Sequence, residues 1–346
     1  MERDKSIDVL KGIGIIFVIM GHIQKYIPKN LLLYIYSFHM PLFFYVSGFL
    51  YKEKYEQMNT KEYIIKRAKQ LVYPYFTLYV INLLWLIIKD HSISSIAKYL
   101  ISFGYSNYIF DSNYVGAVWF LLCLFVVEII YFILKKKNSK IFLNSSLILF
   151  LTFGIAISQL IKYKYFRLPF WTDIALFGII FYHIGVITKR VKKKINLTNK
   201  KRIILLISFI ILNIICIILN YKYCNSDKFK GRTDMLYLYF GNYIYFFLGA
   251  VSGIYTWHIV ASLIKENKIL EMYGKNTLLI MGIHIIIYQI IEFIYKYSKL
   301  SINTNIVFIC MFLCVSILSL VGSIIIKKFF PYLISVPNKE NRKEVY

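Results

Sequence analysis

A chain of 346 residues that is 58% hydrophobic, with a mean hydropathy of +0.59, lies outside the range of a soluble globular protein of its length. Its net charge of +25 does not point to nucleic acid, because the basic residues sit in short loops between apolar runs and no folded basic domain presents them. Cys123, Cys216, Cys224, Cys310 and Cys314 show no paired spacing, and four of them fall inside apolar runs as small fillers, so neither a disulfide nor a metal site is expected.

Runs such as 203–219 are apolar around the whole helix circumference, and about 20 such residues cross a bilayer. Backbone polar groups cannot go unpaired in hydrocarbon, and the short alternating strands of a barrel are missing. The expected fold is therefore an all-α integral membrane protein, a bundle of about ten transmembrane helices. Their spans fall near 9–26, 32–51, 71–88, 116–134, 141–161, 171–187, 203–220, 238–264, 276–294 and 305–326. The first two form a tight hairpin through 25–30. The start is charged and no small-residue cleavage site follows the first span, which predicts a retained anchor. Alternate loops differ in charge: the N-terminus, the loops after spans two, four, six and eight, and the C-terminal tail hold 29 of the 42 Lys and Arg residues, and the other loops 13. Basic loops stay inside, so both termini are expected to be cytoplasmic in a multi-pass cell-membrane protein, with anionic headgroups of the lipid bilayer as partners. The chain reads as one transmembrane domain over 1–346, with a core at about 5–326 and a basic cytoplasmic tail at 327–346. No internal repeat is evident, which removes support from an inverted-repeat transporter.

Polar residues inside apolar spans carry the functional signal, because an ionisable group in hydrocarbon is costly unless compensated. The first span holds Asp8, Lys11 and His22. Fourteen residues separate Asp8 from His22, about 21 Å of helix, which places His22 in the outer half of the membrane. The second span runs inward from Ser37-Phe38-His39-Met40-Pro41, so His39 starts near the same surface and the two imidazoles can face one cavity. A lone membrane histidine is often only a packing hydrogen bonder, but other polar residues accompany these. Trp119 and Asp173 also lie outward of the midplane, while Glu128 and His284 are expected deeper. On the inner side, Lys66-Arg67-Ala68-Lys69-Gln70 precedes Tyr73-Pro74-Tyr75, a run that ordinary positive-inside anchoring would also explain.

Four segments resemble the membrane acyltransferase-3 family, in particular its fucose 4-O-acetylase-like branch. They are Ile7-Asp8-Val9-Leu10-Lys11-Gly12-Ile13-Gly14 through Gly21-His22, Phe38-His39-Met40-Pro41-Leu42-Phe43-Phe44 through Ser47-Gly48-Phe49, Trp119-Phe120-Leu121, and Tyr273-Gly274-Lys275-Asn276-Thr277 leading to His284. The resemblance runs from about residue 5 to about residue 326. It implies transfer of an acyl group, usually acetyl from acetyl-CoA, to a hydroxyl of a surface or lipid-linked glycan, with no bound cofactor. It assigns the essential histidine to His22. The family's basic pair before Pro-Tyr, which meets the acyl donor, is matched by Arg67; its second member is Gln70 here, with Lys66 and Lys69 as substitute cations. Lys11 stands where an Arg is common in the family.

The chemistry asks little. A sugar hydroxyl is a poor nucleophile at neutral pH, and a neutral imidazole takes its proton as it attacks a thioester. His22 is the expected base, with Asp173 or Glu128 as the carboxylate that orients it and His39 or Trp119 as oxyanion donors. The competing reading is a polytopic transporter of a glycan or small anion, which would also place His and Asp within a bundle.

Overall fold

The computed structural model describes residues 4–90, 116–164, 167–192, 197–224, 229–300 and 302–334. Of the expected tail, residues 335–346 lie outside the described residues. Helices α1 (Lys5–His22) and α2 (Lys29–Phe49) form the expected hairpin. Helix α3 (Thr60–Arg67) passes through a π-helical turn, Ala68–Val72, into α4 (Tyr73–Asp90). Next come α5 (Trp119–Lys136), α6 (Lys140–Lys164), α7 (Thr172–Lys192) and α8 (Asn199–Tyr221). The last are α9 (Tyr243–Ile264), α10 (Lys268–Lys275), α11 (Thr277–Tyr297) and α12 (Thr304–Phe329). The only β-structure among the described residues is an isolated bridge between Asp234 and Tyr239.

Among the described residues, 9 helical stretches are long and apolar enough to cross a bilayer. Helix α1 is not one of them, since Lys5, Asp8 and Lys11 crowd its 18 residues. It is nevertheless the central helix: Val9, Leu10, Ile15 and Ile19 are completely covered, and α2, α9, α10 and α11 pack around it. Asp8 and Lys11 are tolerated because they face protein at one end of the bundle, where Lys11 Nζ donates to Asp8 Oδ1 at 3.2 Å, and Lys5 is exposed beside Glu266 at 2.9 Å.

Lipid supplies no hydrophobic drive between helices, so close packing must come from small residues that let backbones approach. Two reciprocal glycine contacts do this. A Cβ on Gly48 of α2 would strike the Tyr182 carbonyl of α7, and one on Gly185 of α7 would strike the Tyr45 carbonyl of α2. A Cβ on Gly12 of α1 would strike the Leu270 carbonyl of α10, and one on Gly274 would strike the Asp8 carbonyl of α1. The glycines in three of the motif segments therefore lock helices together.

Three features depart from expectation. The eighth span starts at Tyr243, because residues 229–242 form a loop held by the Asp234–Tyr239 bridge with Gly231 and Gly241 at positive φ. A separate amphipathic helix, α10, precedes the ninth span and lies against α1. Cys310 and Cys314 are exposed on the outside of α12, so they face the lipid and do not fill the packing, whereas Cys123, Cys216 and Cys224 are buried.

Candidate functional site

Helix α1 ends at His22, where Ile23 leaves helical geometry and returns its N–H to the Met20 carbonyl at 3.1 Å. The His22 side chain is half-buried. Its ring lies 5.0 Å, centroid to centroid, from the ring of His284 on α11, at a tilt of 58°. His284 is fully buried, and its Nδ1–H donates to the Ile280 carbonyl at 2.8 Å. A carbonyl can only accept, so this bond fixes the tautomer and leaves Nε2 as a lone-pair acceptor. That nitrogen is buried without a hydrogen-bond partner among the described residues. Leaving such a group unmet costs about 1–3 kcal/mol.

His39 is built the same way. Its Nδ1–H donates to the Ile35 carbonyl at 2.9 Å, and its ring packs against Tyr36 at 4.8 Å. It is buried, and the hydroxyl of the same Tyr36 donates to the carbonyl of Gly21, the residue before His22, at 3.4 Å. The three imidazoles thus gather at the end of the bundle away from the basic loops. His284 was expected deeper than His22; it stands at the same level and takes the neighbouring position expected of His39. The reason is the Gly274 contact, which brings the α10–α11 turn onto α1 beside Asp8, so α11 climbs next to α1 and meets it again at His22.

A further group, Arg232, was not singled out in the sequence. It lies in the 229–242 loop, 5% exposed, with its guanidinium 4.5 Å over the Tyr36 ring. Its Nη1 donates to the Phe229 carbonyl at 3.1 Å, and its Nη2 to Gln24 Oε1 at 3.2 Å and Asp234 Oδ2 at 3.4 Å. Its Nε is buried without a partner among the described residues. Tyr36 links the parts: Gln24 Nε2 donates to its hydroxyl at 2.6 Å, Thr233 Oγ1 donates to its carbonyl at 3.0 Å, and its ring stands between Arg232 and His39. Asp234 lies outside the spans, and burial pushes its carboxyl up to about 6 from 3.8, with Arg232 pulling the other way. The available signal in the sequence was an arginine between two apolar runs, on the side that basic residues avoid.

Neither carboxylate expected to orient His22 is near it. Asp173 is fully buried and receives the Nε and Nη2 of Arg167, whose Nη1 donates to the Leu236 carbonyl at 3.0 Å. That pair anchors the 229–242 loop to the start of α7. Glu128, on α5, receives the Nε and Nη2 of Arg67, whose Nη1 donates to Gln70 Oε1 at 2.5 Å. The Arg67 fork is therefore spent inside the bundle. The π-turn explains the spacing. Pro74 has no N–H to return to Gln70, and the chain widens so that the Tyr73 N–H meets the Ala68 carbonyl, one residue further back than in an α-helix.

The remaining expected residues are scattered. Trp119 is buried at the start of α5 with its ring against Phe120. Lys66 Nζ sits 4.9 Å over the Tyr55 ring, and Lys69 is exposed. Asp8 and Lys11 lie at the basic end, where a polar cavity of about 560 Å³ is lined by Asp8, Lys192, Arg202, Lys265, Glu271 and Lys275.

A family model described as an acyltransferase domain matches residues 4–328. The chain is 29% identical over 185 residues to the nodulation protein NolL of Mesorhizobium japonicum, an alignment that covers 49% of this chain and 46% of that protein, so it spans about half that relative's length. It is 24% identical over 318 residues to the nodulation protein NolL of Sinorhizobium fredii, covering 85% of this chain and 80% of that protein. No solved structure matches. A multi-pass helical bundle, a histidine left open at the end of its central helix, and a family match over nearly all of its length lead to one statement: the chain belongs to the acyltransferase-3 family and is a membrane acyltransferase.

Proposed function

We propose that the enzyme, seated in the cell membrane with both termini cytoplasmic, moves an acetyl group from acetyl-CoA to a hydroxyl of a cell-surface or lipid-linked glycan. The observation that carries this reading is His22, an imidazole at the end of the central helix whose nitrogens hold no hydrogen bond among the described residues, beside the buried, unmet Nε2 of His284. His22 accepts the proton of the acceptor hydroxyl as its oxygen attacks the thioester carbonyl. The C–O bond forms, the tetrahedral intermediate collapses, the C–S bond breaks, and the proton passes from His22 to the departing CoA thiolate. His284, with its tautomer fixed, takes the orienting part expected of a carboxylate: its Nε2 receives the N–H of the neutral His22 and leaves the other His22 nitrogen as base. Trp119 remains the proposed neutral donor toward the oxyanion. His39 offers an acceptor nitrogen to the hydroxyl of the incoming sugar.

The donor comes from the basic end. Because Arg67 is held by Glu128, the cations that meet the CoA phosphates are Lys66 and Lys69, with Arg202 and Lys265 at the polar cavity. Transfer of labelled acetyl from acetyl-CoA to candidate surface glycans by purified protein tests the reading. Label on a glycan that is lost in His22→Ala is the expected result. No transfer to any glycan, with intact binding of another acyl-CoA, would overturn the acetyl and glycan assignments.

A further inference from the structure

A groove of about 530 Å³ opens on the outside of the bundle between α2 and α8, at the end away from the basic loops. Its walls are apolar: Leu33 from α2, and Ile214, Ile217 and Ile218 from α8. Ile214 and Ile218 are 47% and 61% exposed, and α8 has a hydropathy of 3.0, the highest of the nine candidate spans. This opening therefore faces hydrocarbon. At its mouth stands Lys29, whose Nζ donates to the Tyr221 hydroxyl at 2.7 Å and lies 4.8 Å over that ring. Among the described residues Lys29 forms no ion pair. Behind the groove, sharing Leu33, Ile217 and Tyr221 with it, a narrow polar recess is lined by Ser37, Asn220, Thr233 and Arg232. Arg232 brings there a buried guanidinium with its Nε unmet. Its one nearby carboxylate, Asp234, is single-contact at 3.4 Å.

An apolar trough that faces lipid, with Lys29 at its polar end and Arg232 in the recess behind it, complements one kind of molecule. We infer that this groove binds an anionic phospholipid, one whose headgroup carries a net negative charge: the phosphate lodges beside Lys29 in the field of Arg232, and the hydrocarbon tail lies along Ile214, Ile217 and Ile218. A zwitterionic lipid carries its own cation beside the phosphate, which Lys29 would repel. The bound lipid abuts the histidine cluster through a single side chain, Tyr36, which meets Arg232 on one side and His39 on the other. The inference does not depend on the acyl group or the acceptor.

Native mass spectrometry of the purified full chain in neutral detergent, titrated with phosphatidylglycerol, phosphatidylcholine or inorganic phosphate, tests it. One phosphatidylglycerol should be retained at least tenfold more tightly than phosphatidylcholine, and inorganic phosphate should not displace it. Lys29→Gln and Ile218→Trp, the latter filling the groove from a lipid-exposed position, should each weaken that retention about fivefold or more. Lys25→Gln, an exposed lysine paired with Glu292 at 3.5 Å, should not. Equal retention of the two lipids, displacement by inorganic phosphate, or an equal loss in Lys25→Gln would overturn the assignment. Arg232→Gln adds a check where it folds: it should lower the preference for phosphatidylglycerol over phosphatidylcholine, and an unchanged preference would remove Arg232 from the site.

Discussion

Two clusters of buried polar groups in this bundle are built in opposite ways. In one, Arg67 and Glu128 exchange a two-point ion pair, and Gln70 takes a third guanidinium bond. In the other, His22 and His284 face each other with no carboxylate bonded to either ring, and His284 Nε2 is buried without a hydrogen-bond partner among the described residues. Hydrocarbon penalises both arrangements; the ion pair is compensated within the fold, and His284 Nε2 is not. A polar group that the protein has already satisfied is part of the scaffold, whereas one left unmet at a cost is available to a substrate. The contrast separates residues that the sequence had grouped as equals.

The sharpest way to break this comparison is His22→Ala. Loss of a general base removes about 10²–10⁴-fold in rate, so transfer should disappear while membrane expression and the melting midpoint hold. A normal rate in a well-folded variant would remove His22 from the chemistry. His284→Phe keeps an aromatic ring against His22 and deletes the acceptor. A misplaced catalytic group costs about 10²-fold, and the loss should appear in kcat with little change in either KM. If His284→Phe only lowers the melting midpoint, the residue is packing alone.

In the ion-pair cluster the expectation reverses. Breaking one side of a buried ion pair costs about 3–5 kcal/mol, so Arg67→Ala and Glu128→Gln should each lower the melting midpoint and yield. Activity per folded molecule should change little, and the double variant should be less damaged than the sum of the two. A selective rise in the acetyl-CoA KM in Arg67→Ala, with unchanged stability, would return Arg67 to the donor site.

A smaller effect follows from Asp234. Its carboxyl is raised in the folded chain from 3.8 to about 6, so the folded state binds the proton more tightly than the unfolded one. That contribution to stability is complete below 3.8 and is lost as pH rises through about 6. The melting midpoint of the wild type should therefore fall relative to Asp234→Asn across that interval, and parallel curves would refute the assignment. Lys69→Gln should have the mildest effect, a modest rise in the acetyl-CoA KM with no loss of stability. Lys61→Gln, outside the motif, is its control.

The apolar runs made the bundle legible, because a run of apolar residues in lipid has no choice but to be a helix. For the same reason the apolar spans and the hairpin of α1 and α2 could be read from residue types and spacing. The family resemblance rested on short segments whose glycines the structure explains as helix contacts, at Gly12 with Leu270 and Gly48 with Tyr182. What the sequence alone could not supply was partnership across the bundle. Asp173 lies six residues from Arg167, but their pairing depends on a left-handed turn at Phe170 and Trp171. Glu128 and Arg67 are separated by 61 residues, and His22 meets His284 only because α10 closes onto α1 through Gly274. Arg232 belongs to a loop with no periodicity to reveal it, and only folding sets it over Tyr36. Burial cost is local and can be read along a chain, but which polar group answers another is fixed by contacts between distant segments. Those contacts decided which charges hold the scaffold and which imidazoles stay open.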